Sequence, residues 1–569
     1  MTHMRLSLRS LSWSALALAG LLTAACSDSD DGTSPPPPPP TLEAPTGVQA
    51  QATSAFTARV TWTAAANATS YLVQRAQGSG NFETVGNAGT TSFDDSGLNP
   101  QTQYRYQVAS VSGTTTSSFS GAVTITTPEA TTPTVEVTAD ITTNTEWTAD
   151  KVYILKGFIH VANGATLTIR PGTKIVGDFN TVGSSLFVLR GAKINALGTE
   201  TSPIVFTSSR APGQRQAGDW GGLILVGNGV INRAAPVILE GTGTGASNPA
   251  VDYAGGTNNG DNSGVLRYVR VEFAGYATAP DAELNSLTMA AVGSGTEISY
   301  VQSLNGLDDS FEWFGGAVDA RYLVSYNSGD DHFDAAEGYV GRVQYAIAYQ
   351  TRTVVPRPAA GNVSQDPQGV ENDGCNGANC NNGQNSTPRT VPMFANFTVV
   401  GPPSTVTNSS GNIGMMLRRG TGGFYINNLY ARWSRAGMSL RDQPTLDRIT
   451  SGDLVLKNLL FAEVPVVCQP QTGSTVQGCV DLAANGITSA LTTSMTSLFA
   501  SVPAGEPTSA TQLDWTAATG SAAASGGLDT FTGSIATKAE GFVFPTVYRG
   551  AGASGFPKWW QGWTNFAVN

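Results

Sequence analysis

Four aspartates fall in two adjacent pairs, Asp308-Asp309 and Asp330-Asp331, one 22-residue step apart. Laying residues 301–316 over 323–338 also places Ser303 on Ser325, Asn305 on Asn327, Phe311 on Phe333 and Glu312 on Asp334. A period of this size is one coil of a solenoid, and stacked strands lie about 4.8 Å apart. Equivalent carboxylates then become neighbours, at about 3–4 kcal/mol per ionised pair for an effective dielectric near 20. Three chemistries fit. The first is a Ca²⁺ site built from Asp308, Asp309, Asp330 and Asp331 with Glu312 and Asp334. The second is acid/base work on a glycosidic bond, for which inverting enzymes hold two carboxyls about 6.5–9.5 Å apart. Asp309 or Asp331 is then the general acid, Asp308 or Asp330 activates water, and Arg418 and Arg419 hold an acidic sugar. The third is turn chemistry, in which Asp bonds backbone N–H groups at coil corners. Parity adds a constraint: if Phe311 points inward, so would Asp309, and a bare carboxylate in the core costs several kcal/mol. The pair is therefore expected at a bend before the strand carrying Phe311.

Other residues offer less. Outside the first 25 residues the chain has two histidines, His160 and His332, too few for most His-based metal sites. His332 reads as a polar corner residue or a proton donor. Trp220 and Trp313, with Trp559, Trp560 and Trp563, read as sugar-stacking platforms or as packing, the last three covering an open solenoid end. Asn305 over Asn327 suggests a ladder of stacked amides at a corner.

The elements that must position these groups are short. From about residue 134 onward, β runs are broken by Gly and Asn, without sustained helical periodicity. The chain has 569 residues, with 65 Gly, only 13% charged residues and a net charge of −11. That length implies more than one domain, the glycines suit many strands joined by tight turns, and the acidity argues against a nucleic-acid partner. Arg5 and Arg9, the apolar run from Leu11 to Leu22 and the small residues before Cys26 read as a secretory leader over residues 1–25. The run Pro35 to Pro40 reads as a stiff spacer within an acidic linker over residues 26–42. Four further cysteines, in an oxidising compartment, favour local pairs Cys375–Cys380 and Cys468–Cys479. Residues 352–392, rich in Pro, Asn and Gly, read as a long excursion from the solenoid.

Several stretches resemble known families. The segment ending in Cys26 is similar to a bacterial lipobox, which implies lipidation of Cys26 and an outer-membrane anchor, facing the surface or the periplasm. Residues 43–128 resemble a fibronectin type III domain, with Trp62 at the core tryptophan and Tyr104 at the tyrosine corner. After a linker at 129–139, residues 140–569 resemble the right-handed parallel β-helices of uncharacterised exported bacterial lipoproteins. The matching phrases include Gly218-Asp219-Trp220-Gly221-Gly222, residues 261–270, the double-Asp coils, Leu417-Arg418-Arg419-Gly420 and the Trp559 to Thr564 ending. The adjacent Asp pairs also resemble the acid/base carboxylates of polygalacturonase-type enzymes, although the Ser/Gly-His-Gly and Arg-Ile-Lys segments of those enzymes are absent. The expectation is an all-β chain: a sandwich, then a β-helix with a C-terminal cap. As function, it implies a surface lipoprotein that binds glycans or partner proteins, with calcium as a structural ion. A polysaccharide hydrolase or lyase, and an assembly or transport partner at the outer membrane, are the alternatives.

Overall fold

The computed structural model describes residues 41–566, apart from 130–131, 281, 365, 376, 378, 404–410 and 471–477. Cys26 and the proline run lie outside the described residues. The chain divides into two compact units, residues 1–131 and 132–569. No described helix is long and apolar enough to cross a membrane.

The first unit is a two-sheet sandwich. Thr46–Ala52, Thr57–Thr63 and Ser92–Ser96 form one sheet, and Ser70–Gln77, Gln103–Ser112 and their neighbours form the other. Alternation along Thr57–Thr63 buries Ala58, Val60 and Trp62, as a half-buried strand requires. Trp62 packs edge-on to Tyr71 with ring centroids 5.2 Å apart. The Tyr104 hydroxyl accepts a hydrogen bond from the Asn99 backbone N–H at 2.8 Å, which makes the expected tyrosine corner.

The second unit is a stack of parallel coils. One nine-stranded sheet runs through Phe158–Val161, Leu287–Ala290, Phe311–Phe314, Phe333–Ala336, Gln368–Asp373 and Ile413–Arg418 to Ala436–Leu440. A seventeen-stranded sheet holds the remaining coil strands, among them Glu297–Leu304, Asp319–Tyr326 and Arg342–Tyr349. The 22-residue overlay is the true register: Val301 pairs Leu323, Ser303 pairs Ser325 and Glu312 pairs Asp334. Inward apolar residues stack into one continuous core through all coils. Tyr268, Tyr300, Tyr322 and Tyr345 mark one bend, all at positive φ, a conformation unusual for residues other than Gly. Their rings stack along the coils at 4.3, 4.4 and 5.5 Å.

Four expectations change here. Residues 352–392 are not one excursion, because Gln368–Asp373 returns to the nine-stranded sheet between Phe333–Ala336 and Ile413–Arg418. The C-terminal segment runs back along the side of the stack instead of closing its end. Trp563 packs on Tyr268 and Tyr300, Trp559 on Tyr322, and Phe566 on Tyr326. It covers outward apolar side chains of the stack, among them Leu304, Val324, Ile347, Val400 and Leu429. Asn305 and Asn327 do occupy corners at positive φ, but the Asn327 carbonyl accepts from Thr351 and the Asn305 carbonyl from Arg352, so no amide ladder joins them. Trp220 and Trp313 are fully buried in the core, where they offer no face to a sugar. Both disulfides form as expected, each with Cα atoms 6.0 Å apart.

Candidate functional site

Along the strands of the nine-stranded sheet, alternate residues face out of the core. Phe311 and Trp313 point in, and so do Phe333 and Ala335. Glu312, Asp334 and Glu371 therefore share one outward column, in direct register on three successive coils. Asp373 pairs with Arg418 in the neighbouring column. The turn before each strand carries the aspartate pairs, so the expected bend is confirmed.

Turn chemistry is present at these corners and forms its own ladder. The Asn285 carbonyl accepts from the Asp309 N–H at 3.2 Å, and Asp309 Oδ1 accepts from the Asp331 N–H at 2.8 Å. Asp331 Oδ1 accepts from the Gln368 N–H, and Gln368 Oε1 accepts from Ile413 at 3.0 Å. Each side chain thus caps the equivalent corner one coil on. An aspartate spends one oxygen this way and keeps another.

The four aspartates do not gather round a single point. Ligand oxygens lie within 4.8 Å of one another in three overlapping sets: Asp308, Asp309 and Asp330; Asp309, Glu312 and Asp334; and Asp331, Asp334 and Glu371. Asp330 Oδ1 and Asp334 Oδ1 are buried with no hydrogen-bond partner. Burial is the main reason that Asp308, Asp309, Glu312, Asp331 and Asp334 are held well above the ordinary carboxylate range, with neighbouring carboxylates adding to it. Burial pushes Asp330 up to about 6, and it pushes Glu371 up to about 8 against the pull of Arg418.

These groups floor a cleft of about 1080 Å³. Its walls come from insertions between strands, represented by Arg233 and Glu240, by Ala277, Pro280 and Glu283, and by Ala359, Ser364 and Asp366. Twelve carboxylates and three arginines line it. Arg418 pairs with Glu371 and Asp373, the latter at 2.9 Å, and Arg419 pairs with Asp373. Both arginines are therefore committed to cleft carboxylates, not held open for an anion. His332 lies behind the floor, fully buried, with Nδ1 2.5 Å from Ser325 Oγ, and burial lowers it to about 3. It is a neutral corner residue.

Sequence reasoning missed Glu371, Asp373, Asp366, Glu240 and Glu283. The step from Asp334 to Glu371 is 37 residues instead of 22, so the loop hides the repeat. The one usable signal was Gln368-Gly369-Val370-Glu371, with a single apolar residue at the position of Phe333.

Comparison with known proteins agrees with this architecture. A family model described as a pectate-lyase like beta helix domain matches residues 139–518, and a fibronectin type III model matches residues 43–126. No curated protein matches the chain. Solved structures resembling the first unit include the FN5 domain of Drosophila Lar, at 23% identity over 16% of this chain and all of that one, TM-score 0.15. Another is domains A168–A170 from titin, at 24% identity over 16% of this chain and 32% of that one, TM-score 0.15. The chain belongs to the pectate-lyase like beta helix family and carries an N-terminal fibronectin type III domain.

Proposed function

We propose that the acidic cleft is a calcium-loading site and that the loaded cleft is where a surface-anchored protein binds glycans. The observation that carries this is the set of three overlapping oxygen triads, with Asp330 Oδ1 and Asp334 Oδ1 buried and unpartnered. All-oxygen donors suit Ca²⁺, which takes six to eight such ligands at about 2.3–2.6 Å. Three carboxylates per triad leave positions for sugar hydroxyls or a sugar carboxylate. A cleft with four carboxylates for each arginine repels an anionic glycan until cations balance it. Phe314 is the aromatic residue in the described wall, so recognition rests on polar contacts. Lipidation of Cys26 would hold the β-helix at the outer membrane.

Polysaccharide cleavage is a second reading, compatible with the family and favoured by one observation. Asp330, held up to about 6, is poised to give up a proton near neutral pH. The test is calcium titration by calorimetry, followed by a glycan panel assayed for binding, reducing ends and unsaturated products. Saturable calcium binding with calcium-dependent glycan retention and no product is expected. Absence of calcium binding overturns the first reading; product formation that Asp330→Asn abolishes without a change in melting replaces it with the second.

A further inference from the structure

A second cavity, of about 170 Å³, lies at the coil corner formed by Phe273 and Asn305. Arg215, Gln216, Arg352 and Val354 complete most of its wall, and no carboxylate among the described residues lines it. Its acceptors are already used. The Gln216 carbonyl takes a hydrogen bond from Arg210 at 3.1 Å, and the Asn305 carbonyl takes one from Arg352 at 3.4 Å. What remains is donors. Asn305 is 2% exposed, and its Nδ2 has no hydrogen-bond partner. The Arg352 guanidinium meets Glu506 at 3.2 Å through Nε, while Arg215 donates Nε to the Arg210 carbonyl at 3.1 Å and lies 3.9 Å from Glu272 through Nη1. Both partner carboxylates stand outside the wall.

A buried amide donor without an acceptor is costly, and two guanidiniums with hydrocarbon between them make a setting in which an oxyanion gains charge-assisted bonds. The volume exceeds that of several waters, each about 30 Å³ in the liquid, which suits a compact oxyanion. We propose that this cavity binds one small oxyanion, of the sulfate, phosphate or carboxylate type, through Arg352 and Asn305 Nδ2, with Arg215 in the wall adding positive charge. The site is independent of the acidic cleft and of opposite sign.

The full chain, held in chelator at constant ionic strength with chloride as the balancing anion, is titrated by calorimetry with sulfate, phosphate and acetate. One-to-one saturable binding of at least one is expected, and the anion that saturates identifies the source. Arg352→Gln and Asn305→Asp should each weaken it by roughly 10–100-fold; Asp is chosen because it tolerates the left-handed backbone at this corner. Arg352→Lys, which keeps the charge, should lose less, and Asp309→Asn in the other cleft should lose nothing. Failure of all three anions to saturate, or binding unmoved in Arg352→Gln with unchanged melting, overturns the proposal.

Discussion

Asp309→Asn should change the sign of its effect with calcium. The substitution keeps the side-chain carbonyl that accepts from the Asp331 N–H, so the corner ladder survives. It removes one charge from two of the triads. Two ionised carboxylates 4.8 Å apart repel by about 3.5 kcal/mol at an effective dielectric near 20. Partial protonation of the raised groups reduces that, so the gain in chelator at about pH 8 is bounded near 3 kcal/mol. Calcium at a hundred times its Kd stabilises the wild type by about 2.7 kcal/mol. Unfolding entropy of about 2.1 cal/mol/K per residue over the roughly 440 residues of the second unit converts either figure to about 3 °C. Differential scanning calorimetry in chelator, in calcium and in magnesium reads both. The variant should melt higher than wild type in chelator and lose most of the calcium response. A variant that melts lower in chelator, while both proteins respond equally to calcium, would refute the reasoning and leave Asp309 a turn residue alone.

Further outcomes follow from the same contacts. In chelator, stability should fall as pH rises from about 4 to 8, because Asp330 and Glu371 have folded values near 6 and 8, above their unfolded ones. The folded state then binds more protons in that window, with a slope of up to about 1.4 kcal/mol per pH unit for each group. Urea midpoints that climb through the window would contradict it. Trp563→Ala should cost about 3–5 kcal/mol, since Trp563 is buried against Tyr268 and Tyr300; an unchanged melting point would mean that the C-terminal segment does not hold the stack. Gly264→Ala should yield no soluble protein, because Gly264 has φ +113° and an added Cβ would stand 1.9 Å from the Ile194 carbonyl oxygen.

The parts of the fold that were legible in the sequence are those where local pattern and register coincide. Two coils without insertions, from residue 301 to 338, expose the 22-residue period, and with it Glu312 over Asp334. Trp62 and Tyr104 are legible because each keeps a fixed distance from its strand partners. Glu371 and Asp373 were hidden because the chain leaves the stack after Tyr349 and re-enters at Gln368. A short strand whose inward positions are Gln368, Val370 and Asn372 has no apolar alternation to announce it. Trp220 and Trp313 were ambiguous because indole suits both a core and a sugar platform; parity on Phe311–Phe314 places Trp313 inside, and Trp220 is held inside from the turn before Leu223–Val226, donating its indole N–H to the Glu272 carbonyl.

The turn and metal readings of the aspartates competed only while each side chain was given one role. Asp309 and Asp331 each cap the next coil with Oδ1, which accounts for their spacing but not for the column of Glu312, Asp334 and Glu371, of which Glu312 accepts from the side-chain amide of the corner residue Asn285. An outward column on a bare coil would be solvated and inexpensive. Here the insertions that carry Ala277 and Glu283, and Ala359 and Asp366, wall it in, and Asp334 Oδ1 in the column and Asp330 Oδ1 beside it are buried without a partner. Desolvating carboxylates costs several kcal/mol each and returns nothing to a purely structural stack. The corner ladder accounts for the fold, and the enclosure of the column is the feature that calls for a ligand of positive charge.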